Sequence, residues 1–190
     1  MLVLASTSPY RRELLTRLGL DFETATPDTD ETRLPGETPK QLVRRLAEAK
    51  ARAVAKSFPN ALIIGSDQVA VLGDRILGKP GDHATAVRQL TDACGRRVTF
   101  LTGLCLYNSS SDHCQLDLVP YTVEFRALNA VQIDHYLRRE QPYNCAGSFK
   151  SEGLGISLFR RMEGEDPSAL IGLPLIRLID MLAVEGVNVL

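Results

Sequence analysis

The chain has 190 residues, which suits one domain of good size or two small lobes with a buried core. Its content of 44% hydrophobic and 24% charged residues is typical of a globular protein, and its net charge of −1 excludes a general attraction to nucleic acid or anionic membranes. No apolar run approaches the ~20 residues that span a bilayer, and no signal peptide opens the chain. We therefore expect a cytoplasmic protein that binds neither nucleic acid nor membrane.

The four cysteines are widely spaced and form no CxxC pair, which argues against a zinc site. Cys105 and Cys114 could face each other across a hairpin, although buried free thiols are the commoner case in a cytosolic chain. The sequence leaves the oligomeric state open, and a homodimer is compatible with it.

The first predicted strand, Leu2–Ala5, runs into a hydroxyl-rich turn and then a helix that Ser8 is expected to cap. Arg11 and Arg12 fall in the first turn of this helix, where the helix dipole disfavours cations by roughly 0.3–1 kcal/mol each. An anion bound among Ser6, Ser8 and the two arginines would reverse that cost, which makes the segment a candidate phosphate site. A solvated basic pair on an exposed helix face is the alternative.

An edge strand is predicted at Leu20–Thr24, followed by the acidic loop Pro27–Thr32. Most acidic loops are simply solvated, but Glu31 in this one could serve as a ligand of Mg²⁺. A capping box at Thr38 predicts a second helix with an apolar face. Lys50 lies on that face and would either snorkel from the edge of the core or reach towards a ligand crevice.

The most informative segment is the apolar strand Ala61–Ile64, which Gly65 is expected to end. A carboxylate, Asp67, follows two residues later. Ligands of open α/β sheets bind beyond the carboxyl ends of the strands, so this order predicts Asp67 at the rim of a crevice. An aspartate that only caps a turn is the alternative.

Further along, Gly73 and Asp74 predict a hairpin, and Gly78 and Pro80 hold Lys79 in a stiff turn. The long strand Val98–Tyr107 and its return towards residue 128 predict an antiparallel pair that builds a second lobe. The mixture of strands and helices without strict alternation predicts an α/β protein with a mixed sheet.

The glycine-rich loop Cys145–Gly155 carries Lys150 and suits a close approach of backbone to a ligand, although a flexible surface loop would look similar. A strand at Ile156–Phe159 and a terminal helix at Leu170–Leu182 are expected to follow it.

Taken together, these segments resemble the Maf family of nucleoside triphosphate pyrophosphatases, within the Maf/Ham1 superfamily. The resemblance covers nearly the whole chain and rests on six motifs in the expected order: Leu4–Pro9 with Arg11 and Arg12, Asp30–Thr32, Glu48–Lys50, Gly65–Gln68, Gly78–Pro80 and Gly147–Gly153. It implies one domain over residues 1–190, with an elongated, twisted mixed sheet flanked by helices and two lobes around a central cleft. It also implies metal-dependent hydrolysis of a nucleoside triphosphate to the monophosphate and pyrophosphate.

Residue roles follow from the resemblance together with the side-chain chemistry. The family's catalytic base falls on Asp67, and Glu31 with Asp67 would hold Mg²⁺ or Mn²⁺, although base catalysis and metal binding are hard to separate from sequence. The triphosphate would be bound by a set of cations and hydroxyls, namely Ser6, Ser8, Arg11, Arg12, Lys50, Lys79 and Lys150.

Within the family, Gln68 and the loop from Phe149 to Gly153 resemble the branch that acts on 7-methyl-GTP. The specificity positions of that branch correspond to Tyr10, Gln68 and Glu152, with Tyr10 standing where the branch often has Trp. Two alternatives remain. One is the branch that acts on dTTP and UTP, and the other is a regulator of septum formation that binds nucleotide without hydrolysing it.

Overall fold

The computed structural model describes residues 1–190, with seven strands, six α-helices and two short 3₁₀ helices. Strands β1 to β7 span Leu2–Ala5, Glu23–Ala25, Leu62–Leu72, Arg75–Leu77, Arg97–Asn108, His113–Phe125 and Phe159–Glu163. Helices α1 to α6 span Pro9–Thr16, Pro39–Ala55, His83–Ala93, Ala130–Glu140, Pro167–Ile171 and Leu175–Val184. The 3₁₀ helices span Ala146–Ser148 and Leu154–Leu158. None of the helices combines the length and the apolar character that crossing a membrane requires.

The strands form one mixed sheet in the order β2-β1-β3-β5-β6-β7, with β4 paired to β3. Strand β1 is parallel to both β2 and β3, whereas β3 with β4 and β6 with β7 are antiparallel pairs. The predicted hairpin at Gly73 and Asp74 is the connection between β3 and β4, and Gly73 has a φ of +61° there. The mixed α/β class predicted from the sequence is confirmed.

Contacts divide the chain into two compact units, and three of the strands contribute residues to both. The first unit comprises Met1–Gln68, Leu101–Val119 and Asp166–Leu190, and the second comprises Val69–Phe100 and Pro120–Glu165. The β5–β6 pair, which was predicted to build a second lobe, contributes to the second unit only through the ends away from its connecting turn, because the halves next to that turn belong to the first unit. Strands of 12 and 13 residues are about twice the common strand length, long enough to supply both units.

In the first unit the sheet is covered on both faces, as the continuous apolar runs of β1 and β3 require. One face packs against α1 and α6, with Leu4, Leu15 and Leu178 fully buried. The opposite face packs against α2, with Val3 and Ala47 fully buried.

On the face covered by α2 lies the cysteine pair that the sequence places across a hairpin. The sulfur atoms of Cys105 and Cys114 are 3.6 Å apart, and both thiols are free. Burial raises the pKa of each thiol above its ordinary value.

The second unit is built around four phenylalanine rings that meet edge to face. Phe149 lies at their centre, with ring centroids 5.2 Å from Phe100, 5.8 Å from Phe125 and 4.8 Å from Phe159. Such pairs add roughly 0.5–1.5 kcal/mol each beyond the burial of apolar area. Because Phe149 belongs to the glycine-rich loop, this cluster anchors the start of that loop in the core.

Three element boundaries differ from those predicted. The edge strand β2 covers Glu23–Ala25 rather than Leu20–Thr24. The segment Ile156–Phe159 is mostly the second 3₁₀ helix, and β7 begins only at its last residue. The terminal helix is split in two because Gly172, with a φ of +121°, and Pro174 interrupt helical geometry between α5 and α6.

Candidate active site

The turn between β1 and α1 is closed by its own two serines, both of them predicted site residues. The backbone N–H of Ser8 donates to the hydroxyl of Ser6 at 3.2 Å, and the N–H of Arg11 donates to the hydroxyl of Ser8 at 3.4 Å. Ser8 is thus the N-cap of α1, as predicted. A hydroxyl that accepts one bond still has its own hydrogen to donate, so the cap leaves both serines able to bind an anion.

The two arginines that follow have different surroundings. Arg11 is half-buried, and its Nε donates to the backbone oxygen of Gly172 at 2.7 Å. Burial lowers the pKa of Arg11, which the negative charges of Asp67 and Glu31 partly offset, but a guanidinium stays protonated in proteins. Arg12 is exposed on the helix surface, where its guanidinium is accessible to a ligand.

Helix α2 lies against the sheet so closely that two strand positions allow only glycine. A Cβ built on Gly65 would stand 2.0 Å from the backbone oxygen of Ala47, and one built on Gly103 would stand 2.2 Å from that of Val43. The prediction that Gly65 ends the strand is therefore wrong. Gly65 lies inside β3, which runs on to Leu72, because the missing side chain makes room for the helix.

This close approach brings three predicted site residues into one ionic cluster. The Nζ of Lys50, on α2, lies 2.7 Å from Oδ1 of Asp67 and 2.7 Å from Oε1 of Glu31. The side chains of Lys50 and Asp67 are only 8% and 12% exposed, whereas that of Glu31 is 63% exposed. Lys50 does not snorkel to solvent, because its ammonium is buried against Asp67, and its role at a ligand crevice stays a prediction.

The expectation that Asp67 lies at the rim beyond a strand end is wrong. Asp67 lies in the interior of the 11-residue strand β3, on the face that α2 covers. Burial raises the pKa of Asp67, while the positive charges of Lys50 and Arg11 act in the opposite direction without cancelling it. A buried carboxylate with a raised pKa and a fixed cationic partner is a candidate acid or base rather than a helix or turn cap.

This raised pKa gives a testable pH dependence. If Asp67 is the base it works only when ionised, so the rate should fall by roughly tenfold per pH unit below its pKa. The acid limb of kcat/KM should therefore lie above the ordinary aspartate value of 3.8. The free energy of unfolding should also depend on pH, because folding disfavours the ionised form of Asp67. The contribution of Asp67 to stability is greatest below its pKa in the unfolded chain and is lost as the pH rises through its pKa in the folded protein. An acid limb at or below 3.8 would exclude Asp67 as the titrating base.

Two carboxylates converge on the ammonium group of Lys50, which bears on the divalent metal that the resemblance implies. No group of three His, Cys, Asp or Glu side chains that could hold a metal ion is present. Mg²⁺ in nucleotide sites is usually held by one or two carboxylates together with phosphates and waters. Glu31 and Asp67 supply that number of carboxylates, and one oxygen of each is in contact with the ammonium of Lys50.

Gln68 and Ser66 lie on the face of β3 opposite to Asp67, since alternate side chains of a strand point to opposite faces. The amide nitrogen of Gln68 contacts the backbone oxygens of Ala169 at 2.7 Å and Leu170 at 3.1 Å, and Thr102 Oγ1 at 3.0 Å. Its amide nitrogen thus holds α5, and the role of Gln68 in recognising the base stays a prediction.

Lys79 is exposed in its predicted turn in the second unit. The preceding backbone oxygen, that of Gly78, accepts from the N–H of Gly147 at 3.4 Å and from Nε2 of Gln89 at 3.1 Å. The Lys79 turn and the glycine-rich loop are thus joined within this unit.

The glycine-rich loop is a packed segment rather than a flexible one. The N–H of Lys150 donates to the hydroxyl of Tyr136 at 3.1 Å, and the N–H of Leu154 donates to Oε2 of Glu140 at 2.8 Å. Glu152 is exposed at the tip of this loop, where its carboxylate accepts from the hydroxyl of Ser151 at 3.2 Å. In the first unit, the remaining predicted specificity residue, Tyr10, is half-buried in the first turn of α1.

Several residues that organise these segments escaped the sequence analysis. Ser66 donates to the same Gly172 oxygen that binds Arg11, at 2.9 Å, and fixes the break between α5 and α6. Tyr136 and Glu140 lie within an ordinary amphipathic helix, in which no motif distinguishes them from core and surface positions. Only Gly65, which directly follows the apolar run at the start of β3, carried a signal, since glycine inside a strand marks a close backbone approach.

Comparison with known proteins bears on these assignments. The family model described as Maf-like protein matches residues 1–185. The chain belongs to the Maf family. Among curated relatives of this Maf chain, a protein of Pseudomonas fluorescens Pf-5 is 62% identical over 98% of this chain and 97% of its own length, and it is named 7-methyl-GTP pyrophosphatase. Proteins of Nitrosococcus oceani (60% identical over 100% of this chain and 95% of its own length) and Pseudomonas aeruginosa PAO1 (59%, 99% and 98%) carry the same name.

Two solved structures share the fold of this Maf chain at low sequence identity. The Ham1 protein of Staphylococcus aureus aligns with a TM-score of 0.52 and 15% identity over 97% of this chain and 98% of its own. A HAM1 protein from Coxiella burnetii aligns with a TM-score of 0.55 and 17% identity over 96% of this chain and 98% of its own. These alignments confirm the Maf/Ham1-like fold class predicted from the motifs.

Proposed function

We propose that this Maf chain is a nucleoside triphosphate pyrophosphatase that hydrolyses 7-methyl-GTP to 7-methyl-GMP and pyrophosphate, removing a modified nucleotide. The observation that carries the proposed chemistry is the buried carboxylate of Asp67, held 2.7 Å from the ammonium of Lys50. The choice of substrate is supported by full-length relatives at about 60% identity that are named for this reaction.

In the proposed reaction, Asp67 accepts a proton from the attacking water. The water oxygen bonds to the α-phosphorus, and the bond from that phosphorus to the bridging oxygen of the β-phosphate breaks. Pyrophosphate leaves with the bond's electron pair. Lys50, fixed by its two carboxylates, orients Asp67 and places a positive charge beside the reacting phosphates. Arg12 and the hydroxyls of Ser6 and Ser8 would bind phosphate at the start of α1.

We further propose that Glu31 and Asp67 would hold Mg²⁺ or Mn²⁺ when the nucleotide binds. Such an ion would neutralise charge on the triphosphate and polarise its phosphoryl oxygens. Lys79 and Lys150 are proposed to contribute further positive charge to the phosphates. We further propose that the reaction takes place in the cytoplasm, and the homodimer remains a prediction.

The direct test is pyrophosphate release measured over a panel of 7-methyl-GTP, GTP, dTTP and UTP with Mg²⁺. The highest kcat/KM is expected for 7-methyl-GTP. An enzyme that prefers dTTP or UTP would belong to the other branch by activity. A chain that binds nucleotides without releasing pyrophosphate would support a regulatory role instead.

The base specificity gives a second prediction. 7-Methylguanine carries a positive ring charge that guanine lacks, and the exposed carboxylate of Glu152 is proposed to accept hydrogen bonds from its N–H edge. Because charge-assisted hydrogen bonds are roughly twice as strong as neutral ones, Glu152→Ala should cost more with 7-methyl-GTP than with GTP. The ratio of their kcat/KM values should therefore fall. Glu165→Ala, at another exposed glutamate of the same unit, is the matched control and should leave the ratio unchanged.

Equal losses on both substrates in Glu152→Ala would remove Glu152 from the base site. Tyr10 is proposed to supply the aromatic face for the cationic ring, a contact of roughly 0.5–2 kcal/mol depending on desolvation.

A further inference from the structure

Two side chains of α4 hold the turn formed by residues 150–154, which we call the tip turn. Tyr136 and Glu140 are one helical turn apart and therefore lie on the same face of the helix. The tip turn carries Lys150 and Glu152, to which the proposed function assigns phosphate binding and base recognition. The contacts that fix the backbone of this turn therefore also fix where the side chains of Lys150 and Glu152 leave the backbone.

Glu140 contacts the tip turn at three positions. Its Oε2 accepts from the N–H of Leu154 at 2.8 Å, and its Oε1 lies 3.6 Å from Nζ of Lys150. A Cβ built on Gly153 would stand 2.8 Å from both carboxylate oxygens, so the turn backbone lies directly on the carboxylate. The side chain of Glu140 is only 16% exposed, as expected for a group enclosed by the segment it binds.

The other end of the tip turn is fixed independently. Phe149 lies in the aromatic cluster, and the N–H of Lys150 donates to the hydroxyl of Tyr136, which is 3% exposed. A Cβ built on Gly155 would stand 2.1 Å from the backbone oxygen of Lys150, which shows that the turn closes tightly on itself. The N–H of Gly153 donates to the backbone oxygen of Lys150 at 3.4 Å, and Glu140 is the side chain that holds the returning residues.

Glu152 lies between these anchors and is exposed. The turn backbone therefore sets the point and direction from which its side chain extends. We infer that Glu140 is a positioning residue that holds the tip turn so that Glu152 meets a cationic base, and that it thereby sets the discrimination between 7-methyl-GTP and GTP. This inference rests on the proposed function.

The test compares kcat/KM for 7-methyl-GTP and GTP in the Glu140→Ala variant of the full chain. The ratio should fall by roughly 3- to 10-fold, because a displaced contact loses part of its effect rather than all of it. Glu140→Gln keeps the shape and an oxygen for the N–H of Leu154, so it should retain most of the discrimination. Glu165→Ala again serves as the control and should leave the ratio unchanged.

A purely structural role would lower the unfolding temperature of Glu140→Ala and leave the ratio of the two substrates unchanged. That outcome would overturn the inference. Should Glu140→Ala fail to fold, Gly153→Ala provides a second variant, because its methyl group displaces the same carboxylate from the opposite side. The ratio of kcat/KM for 7-methyl-GTP to that for GTP should fall in the same way. A folded Gly153→Ala with unchanged discrimination would also overturn it.

A double-mutant cycle separates this inference from the function on which it rests. In a Glu152→Ala background, Glu140→Ala should cause no further fall in the ratio, because residues that act through one another are not additive. If Glu152→Ala alone leaves the ratio unchanged, the proposed base recognition fails. If Glu152→Ala lowers the ratio of the two kcat/KM values and Glu140→Ala does not, only the positioning role of Glu140 fails.

Discussion

Asp67→Asn is expected to lower kcat for 7-methyl-GTP by about 10² to 10⁴-fold, the usual contribution of a general base. Asparagine keeps the size of the side chain and an oxygen that can accept from Nζ of Lys50, which is now 2.7 Å from the carboxylate. It cannot accept the proton of the attacking water. The chemical step should therefore be lost while the fold persists.

The measurement is steady-state pyrophosphate release, with circular dichroism to show that Asp67→Asn is folded and a binding assay with a non-hydrolysable analogue. The matched control is Asp74→Asn, the same change at an exposed residue of the β3–β4 turn, which should leave kcat unaltered. A fall of less than tenfold in Asp67→Asn would show that Asp67 is not the base, and the regulatory alternative would gain support.

The largest expected effect on stability is that of Gly65→Ala. The added methyl group would stand 2.0 Å from the backbone oxygen of Ala47 and 3.0 Å from the backbone nitrogen of Ala51. Overpacking a core usually costs 1–3 kcal/mol, but here the opposing atoms belong to the backbone of a packed helix and cannot rotate away. We expect a loss of about 3 kcal/mol or more in the free energy of unfolding, or no folded protein.

The control for this prediction is Gly78→Ala, because a Cβ there meets nothing within 4 Å. Urea unfolding of both variants, followed by circular dichroism, gives the comparison. If Gly65→Ala and Gly78→Ala unfold at the same urea concentration as the unmodified chain, α2 does not lie against β3 as described. Activity is not needed for this measurement, so it tests the architecture separately from the chemistry.

Local signals in the sequence predicted the elements well where the chemistry is local. The capping box at Thr38, the serine cap of α1 and the turn at Gly73 are all present, because a cap or a tight turn is specified by a few neighbouring residues. The mixed sheet was predicted from the order of strands and helices, which do not strictly alternate. Boundaries failed where tertiary contacts decide them, as at Gly65, which reads as a strand end until the helix above it is known.

The sequence named the three residues of the ionic cluster but did not predict their arrangement. The motifs named Glu31, Lys50 and Asp67, but their mutual distances depend on how α2 packs against β3, which no spacing along the chain reports. The anchors of the tip turn were missed because the backbone groups that they bind lie 14 residues away along the chain.

The pleat of β3 gives two adjacent residues, Asp67 and Gln68, separate surroundings. Asp67 faces the charges of Lys50, while Gln68 faces the carbonyl groups at the end of α5. A substitution at position 68 therefore rearranges the support of α5 and leaves the electrostatic surroundings of the aspartate in place. The two neighbouring positions are thus mechanically independent: a change at one acts on the end of α5 and a change at the other on the ion pair with Lys50.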